Sequence, residues 1–564
     1  MFHLRRLTAL ITQLALVAAL TFAPAMAKSN GGRDKITAGE LKEWLTYIAS
    51  DEFEGRNTFS EGLGLAAGYI AGQLKALGVK PGGPNGSYFQ RVAVLGVKSD
   101  NKSTVTVEVN GQSRTFANKE GINFPAFVGS KRSFTADQIE FVGYGLSLPD
   151  RSDYTGHNVK GKIAVYLGTQ PPNGVDPRQA FRAMFSRGRN ATDQEGAVAA
   201  IGPDLNLRTG AGGGGQEGGA GRNALPEPDF MTVQRMDVPQ APSITAKDDF
   251  LEFLFSGSDV KYADLKKKAD AKEALPAFTL KNVRITFNTD ATYQVVRTQY
   301  TRNVIGIIEG TDPKLKDTYV AFGAHYDHVG YAEGEVVNGK RQGARGRVTE
   351  SAVEDRIWNG ADDDGSGTVS ILGIAKAFAQ GPKPKRSLLF VWHAGEERGL
   401  YGSRYFADYP TVPMEKLVAQ INIDMIGRDR DNKTEEGNTV YPVGSDRIST
   451  EFHNLTVEAN NALATPLKLN YEMNDPADTE QIYYRSDHYS YAAKGVPIIF
   501  LTTGLHPDYH ANTDSAEKIN YEKMAHIAQY AYEIGLRTAN LDHAPLRDNR
   551  GPRVGRTVAG KLAM

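Results

Sequence analysis

The hydrophobic pattern changes period along the chain, and each change predicts a different kind of element. Thr37-Ala38-Gly39-Glu40 has the form of a capping box, and Leu41, Trp44, Leu45 and Ile48 then fall on one helical face. Leu63, Ala67, Ile70, Leu74 and Leu77 repeat that spacing, with Gly78 placed where a left-handed residue closes a helix. At 104–109 the period drops to two, and Asn110-Gly111 supplies a hairpin turn. From 124 to 287 the chain carries β-prone pieces at 139–142 and 163–167, many turns and a glycine tract at 209–222. Beyond it, unbroken apolar runs at 304–308, 319–322, 387–392, 421–425 and 497–501 predict strands buried on both faces. Amphipathic stretches at 368–379 and 521–536 predict helices among them. The expected fold is therefore α/β: a mixed, mostly parallel central sheet flanked by helices, interrupted by an inserted β-rich domain. The expected boundaries are 34–123 and 288–540 for the α/β domain, 124–287 for the insertion and 541–564 for a tail.

Ligands of such a sheet gather outside the carboxyl ends of its strands. The run 319–322 leads into Gly323-Ala324-His325-Tyr326-Asp327, 387–392 into His393-Ala394-Gly395-Glu396-Glu397, and 421–423 into Asp424. The run 497–501 leads towards Tyr509-His510, and Asn359-Gly360-Ala361-Asp362-Asp363-Asp364-Gly365-Ser366-Gly367 stands just before a helix. These segments offer imidazoles and carboxylates but no thiolate, a donor mix that suits zinc, with cobalt or manganese as substitutes. Taken singly, an Asp or His in a loop is ordinarily solvated, and 362–364 has the composition of a turn and helix cap. Asp424 differs, because an unpaired charge inside a buried strand is costly. Glu396 and Glu397 are neighbours, so only a turn at the strand end can present one to a metal and the other to water. Asp327 is suited to accept the second ring N–H of His325. His506 competes with His510 after the same strand, His393 and His488 read as packing or substrate-loop residues, and 485–487 as solvated loop.

His325-x-Asp327, Gly360-Ala361-Asp362-Asp363-Asp364-x-Ser366-Gly367, Gly395-Glu396-Glu397-x-Gly399-Leu400-x-Gly402-Ser403, Asn422-Ile423-Asp424-Met425 and Tyr509-His510 resemble, in type and order, the motifs of co-catalytic di-zinc aminopeptidases, family twenty-eight of the metallopeptidases. The resemblance runs from Ile36 to about Arg537, taking in Asp51-Glu52-Phe53-Glu54-Gly55-Arg56. Within the insertion, 143–145 and 159–165 resemble a protease-associated domain. The family resemblance implies two Zn2+ per chain, bridged by Asp363, with His325 and Asp424 completing one site and Glu397 and His510 the other. It makes Glu396 the general base, sets Tyr509 beside the developing oxyanion, and prefers His510 to His506 because Asp514 follows. It also implies a cis bond at Asp363-Asp364. One segment departs from the family: 331–358 is long and basic, with Lys340, Arg341, Arg345 and Arg347, and reads as a flexible solvated insertion rather than a lid.

Composition narrows the function further. At 564 residues the chain exceeds one core, and a net charge of -1 gives no electrostatic reason to expect nucleic acid; the family resemblance implies peptide substrates as partners. Residues 1–27 carry Arg5 and Arg6, a mainly apolar stretch at 7–22 and Ala25-Met26-Ala27, the layout of a secretory signal. The expected location is therefore periplasmic or extracellular, without a membrane span after cleavage, since the apolar stretch is short of about 20 residues. Two other hydrolase routes lack their residues, for there is neither a His-Glu-x-x-His helix nor a Gly-x-Ser-x-Gly elbow. Gly156-His157-Asn158-Val159-Lys160-Gly161-Lys162 is no phosphate loop, because Ile163 stands where Ser or Thr must hold magnesium. The expected function is an exported zinc exopeptidase acting on N-terminal residues. A carboxypeptidase or glutaminyl cyclase of the same fold would share these residues, and a non-catalytic binding protein would be favoured by loss of a ligand or of Glu396, all of which are present.

Overall fold

A computed structural model describes residues 32–148, 151–175, 177–204, 226–475 and 478–548. The expected signal at 1–27, the glycine tract at 209–222 and residues 549–564 of the tail lie outside them. The first helix, α1 (Ala38–Ile48), starts where Thr37 accepts the Glu40 amide, and it buries Leu41, Trp44, Leu45 and Ile48. Burying each such large apolar side chain contributes roughly 1.5–3 kcal/mol. Helix α2 (Glu61–Ala76) is capped by Ser60 and ends before Gly78, whose φ of +71° a side chain would resist.

A mixed sheet, ten-stranded among the described residues, forms the centre of the α/β domain. Its main strands are β1 (Phe89–Asn101), β2 (Ala291–Ile308), β3 (Tyr319–His325), β4 (Ser387–His393), β5 (Leu417–Ile423), β6 (Thr439–Val443) and β7 (Ile498–Thr502). Their spatial order is β1-β2-β4-β3-β5-β7-β6. The inner strands β4, β3, β5 and β7 pair in parallel, whereas β1, β2 and β6 join antiparallel. Every residue of β4, β5 and β7 is buried, which is why these segments show no polar alternation. Leu388, Phe390 and Trp392 of β4 face the cluster that includes α1, α2, α3 (Gly367–Ala379), α5 (Thr450–Asn461) and α6 (Tyr521–Asn540). Leu389 and Val391 face the opposite side, with Phe406 of helix α4 (Tyr401–Asp408) and Tyr491. The carboxyl ends of all four inner strands consequently emerge along one edge.

The β-rich part has its own core, shared by two sheets. One contains 122–123, 139–142, 163–165, 199–203, 243–246 and 277–280; the other contains 104–109, 112–117, 132–136 and 283–289. The hairpin at 104–117 lies on the other side of the boundary expected at 123: Thr104–Val109 pairs with Val283–Thr289, and Val105, Val107 and Phe116 pack into that core. Conversely, Phe230–Thr232 leaves the inserted segment to pair with β1. Strand pairing at such separations leaves no mark on local periodicity. No described helix is long and apolar enough to cross a membrane.

Candidate metal centre

Each strand end delivers its side chain through a specific piece of backbone. His325 is the last residue of β3, and Asp424 directly follows β5. After β4 the chain turns at Gly395, φ +77°, which releases Glu396 and Glu397 from strand geometry so that they are not forced to opposite faces. Asp363 sits before α3, followed by a cis peptide bond to Asp364. His510 itself has φ +53°, in a segment tied down by Arg347, whose amide donates to the His510 carbonyl at 2.6 Å.

The five residues expected from the motifs come together in two adjoining groups. His325 Nε2 lies 3.3 Å from Asp363 Oδ1 and 3.7 Å from Asp424 Oδ2. His510 Nε2 lies 3.1 Å from Asp363 Oδ2 and 3.0 Å from Glu397 Oε2. Asp363 thus turns one oxygen to each group. His506 is not part of either; its Nε2 meets Asp362 Oδ2 at 3.1 Å behind the site. Asp363 Oδ2 and Glu397 Oε1 are buried without a hydrogen-bond partner. Buried carboxylate oxygens left this way are costly, and a nitrogen-and-oxygen donor set around them fits zinc.

The charges point the same way. Burial alone would raise Asp363, but His325 and His510 hold it well below the usual carboxylate range. Glu397 opposes the same burial and the Asp363 charge, and is brought down to about 2 by His510 and His328. Although burial disfavours its charge, His510 is lifted to about 10 by Glu397 and Asp363. The carboxylates and imidazoles of the cluster thus form a surround that favours positive charge. Glu396 behaves oppositely: burial, then the charges of Glu397, Asp424 and Asp487, raise it well above the usual range against the pull of His325. A carboxylate with raised proton affinity suits a general base.

Supporting contacts fix these groups. His325 Nδ1 meets the main-chain carbonyl of Asp327 at 3.0 Å, not its carboxylate, which instead accepts from Thr58 Oγ1 at 2.8 Å and the Glu396 amide at 3.1 Å. Asp364 accepts the amides of His325, Gly367 and Met425, joining β3, α3 and the end of β5. Asp514 accepts the amides of Asp362 and Asp363, and the buried Arg56 guanidinium donates to four carbonyls, including those of Asn359 and Gly360. Tyr509 stacks on His510 with ring centroids 4.0 Å apart, and its hydroxyl accepts from Arg485 Nη2 at 3.1 Å. Burial raises its pKa above the usual phenol value.

Two further expectations need correction, and one residue was missed. Residues 485–487 are not a solvated loop: Ser486 Oγ donates to Asp424 Oδ2 at 2.6 Å, Asp487 is buried beside His393, and Arg485 reaches Tyr509. The basic stretch 331–358 is not a free insertion either. Arg345 donates to the Glu397 carbonyl and Arg347 to those of Pro507 and Tyr509, each at 2.7 Å, while Arg341 is buried against the Gly334 and Val353 carbonyls. Finally, His328 was not singled out by any motif, yet it is buried with Nδ1 3.0 Å from Glu397 Oε1. Its spacing from His325 was the only signal in the sequence. A cavity of about 50 Å3 opens over the cluster, lined by His325, Asp363, Glu396 and Asp424 and walled by Met425, Met473, Ile482, Phe500 and Leu505.

The fold and site together define an α/β domain with a donor cluster at the carboxyl ends of its parallel strands. Residues 303–534 match the profile of Peptidase family M28. A probable leucine aminopeptidase of Trichophyton verrucosum is 29% identical over 249 residues, covering 42% of this chain and 58% of that protein. A second from Arthroderma benhamiae is 30% identical over 192 residues, 32% of this chain and 49% of its own length. The chain thus spans about half the length of the curated relatives it matches. Among solved structures, an aminopeptidase from Aneurinibacillus sp. strain AM-1 aligns with 19% identity and a TM-score of 0.43, covering 93% of this chain and 99% of that one. A zinc aminopeptidase from Bacillus subtilis aligns with 16% identity and a TM-score of 0.42, covering 91% and 98%.

Proposed function

We propose that the chain is an exported aminopeptidase that hydrolyses N-terminal peptide bonds at two zinc ions, bridged by Asp363, with His325 and Asp424 on one and Glu397 and His510 on the other. The carrying observation is the convergence of these five residues around buried carboxylate oxygens that no protein donor satisfies. When bound, such a metal pair polarises a carbonyl and lowers the pKa of water. Glu396, in the cavity wall, accepts the proton of the attacking water and passes it to the leaving amine. Tyr509, its oxygen already accepting from Arg485, donates its own proton towards the carbonyl oxygen as negative charge develops.

The substrate end follows from charge. The cavity is lined by three carboxylates, Asp363, Glu396 and Asp424, a negative surround that favours a free ammonium. A C-terminal carboxylate would need an uncommitted cation, and the guanidinium lining the cavity, Arg485, is engaged by Glu480 and Tyr509. The apolar wall of Met425, Met473, Ile482, Phe500 and Leu505 suits an apolar N-terminal side chain, in keeping with the curated relatives' names. Export rests on the signal-like composition of 1–27. Peptides differing only at their ends provide the test. Acetylating the N-terminus of a good substrate should nearly abolish cleavage and amidating the C-terminus should matter little; the reverse result would make the enzyme a carboxypeptidase.

A further inference from the structure

We propose that His328 is a fourth protein donor to the ion at the Glu397–His510 position, so that the two metal positions are unequal. This inference rests on the two-ion reading above and concerns a residue that no motif assigns. His328 is 1% exposed, and its Nδ1 lies 3.0 Å from Glu397 Oε1 and 3.7 Å from Asp363 Oδ2. These three atoms are each buried without a hydrogen-bond partner. At 3.0 Å the ring nitrogen and the carboxylate oxygen are close, yet neither counts a hydrogen-bond partner. Two lone pairs brought together in this way can share a cation placed between them.

The spacings describe that position. Donors about 2.0–2.1 Å from a tetrahedral zinc lie about 3.3 Å from one another. The separations found here are 3.0 Å for His328 Nδ1–Glu397 Oε1, 3.0 Å for His510 Nε2–Glu397 Oε2, 3.1 Å for His510 Nε2–Asp363 Oδ2 and 3.7 Å for His328 Nδ1–Asp363 Oδ2, and His328, Asp363 and Glu397 offer atoms all within 4.8 Å of one another. Glu397 turns Oε2 to His510 and Oε1 to His328, so the carboxylate sits between the two rings, whose centroids are 5.7 Å apart. His325, Asp363 and Asp424 form the other group with three donors. With one protein donor fewer, the ion beside His325 has more room for water and substrate, and the one beside His328 is held more tightly.

Zinc titration against a competing chelator, with X-ray absorption to count imidazoles, tests this on the wild type, His328→Ala and His328→Asn. The wild type should bind two ions with unequal affinity and show three imidazoles per pair. His328→Ala should weaken the tighter ion by more than the about 10–100-fold typical of losing an outer-shell partner, leave the weaker one unchanged, and show two imidazoles. His328→Asn retains an N–H that can orient Glu397, so restoration of wild-type affinity by Asn would overturn the ligand role. Two imidazoles in the wild type would overturn it without reference to any variant. Unchanged affinities in His328→Ala, with two ions bound to the wild type, would sink this inference and leave the proposed function intact. A wild type that binds no zinc would sink both.

Discussion

Glu140 in the β-rich part and Glu397 at the strand ends of the α/β domain are both buried carboxylates, and they differ in what meets them. Glu140 receives Lys162 Nζ at 2.8 Å and the Thr279 hydroxyl at 3.0 Å to each oxygen, so its charge is absorbed by neighbouring strands. Burial raises it, and Lys162 and Thr279 bring it back below the usual value. Glu397 keeps one oxygen without a donor, beside a second carboxylate in the same condition. A buried charge met by donors is accounted for within the fold; several unmet ones converging on a point have the chemistry of a cation site. Cavity size does not make this distinction. About 540 Å3 is open beside Lys247, Asp248, Tyr262 and Lys266 in the β-rich part, where Asp248 is paired with Lys266 and Tyr262, against about 50 Å3 at the cluster.

The contrast breaks most severely on metal removal. Dialysis against a chelator should reduce peptide hydrolysis to background and lower the thermal midpoint, and zinc should restore both, since binding to the folded state alone is stabilising. Activity that survives a measured loss of all metal would remove the distinction between the two carboxylates. Tyr509→Phe should lower kcat by about 10²–10³-fold with little change in KM, as expected for a donor used in the transition state. Steady-state kinetics with an unchanged kcat would take Tyr509 out of the mechanism.

On the other side of the comparison, Lys162→Met should cost about 1–3 kcal/mol in chemical denaturation by stranding Glu140, without altering zinc content or kcat. A loss of zinc there would mean that Glu140 is coupled to the site after all. The smallest effect is a pH slope. His488 is buried, stacks on Phe500 and is pushed down by that burial to about 3. The unfolded chain takes up this proton near 6.5, so the stability is full above that value and declines as pH falls towards 3. At pH 5.5 the deficit is about 1.4 kcal/mol, and His488→Gln should remove it; parallel pH profiles for variant and wild type would refute the assignment.

Much of this was legible in the sequence where burial imposes a local pattern. The runs at 319–322, 387–392 and 497–501 could be read as strands because both faces of the sheet are covered, and the capping box at Thr37 because its partners are three residues apart. The hairpin at 104–117 could also be read, but not the sheet it joins, since its partner at 283–289 is remote. The stretch 331–358 carries no periodicity because its arginines grip main-chain carbonyls of Glu397, Pro507 and Tyr509, contacts that select for no side-chain pattern. Ser486 was hidden for the same reason, as one hydroxyl behind Asp424. His328 was obscured by His325, whose strand-end position accounted for the segment alone.

The central claim is that Glu396 and Glu397, adjacent in the chain, divide proton transfer from metal binding. Zinc content and turnover measured together on Glu396→Gln test it most directly. Two zinc ions per chain should remain while kcat falls by about 10²–10⁴-fold. Loss of an ion from that variant, or turnover at the wild-type rate, would contradict the division.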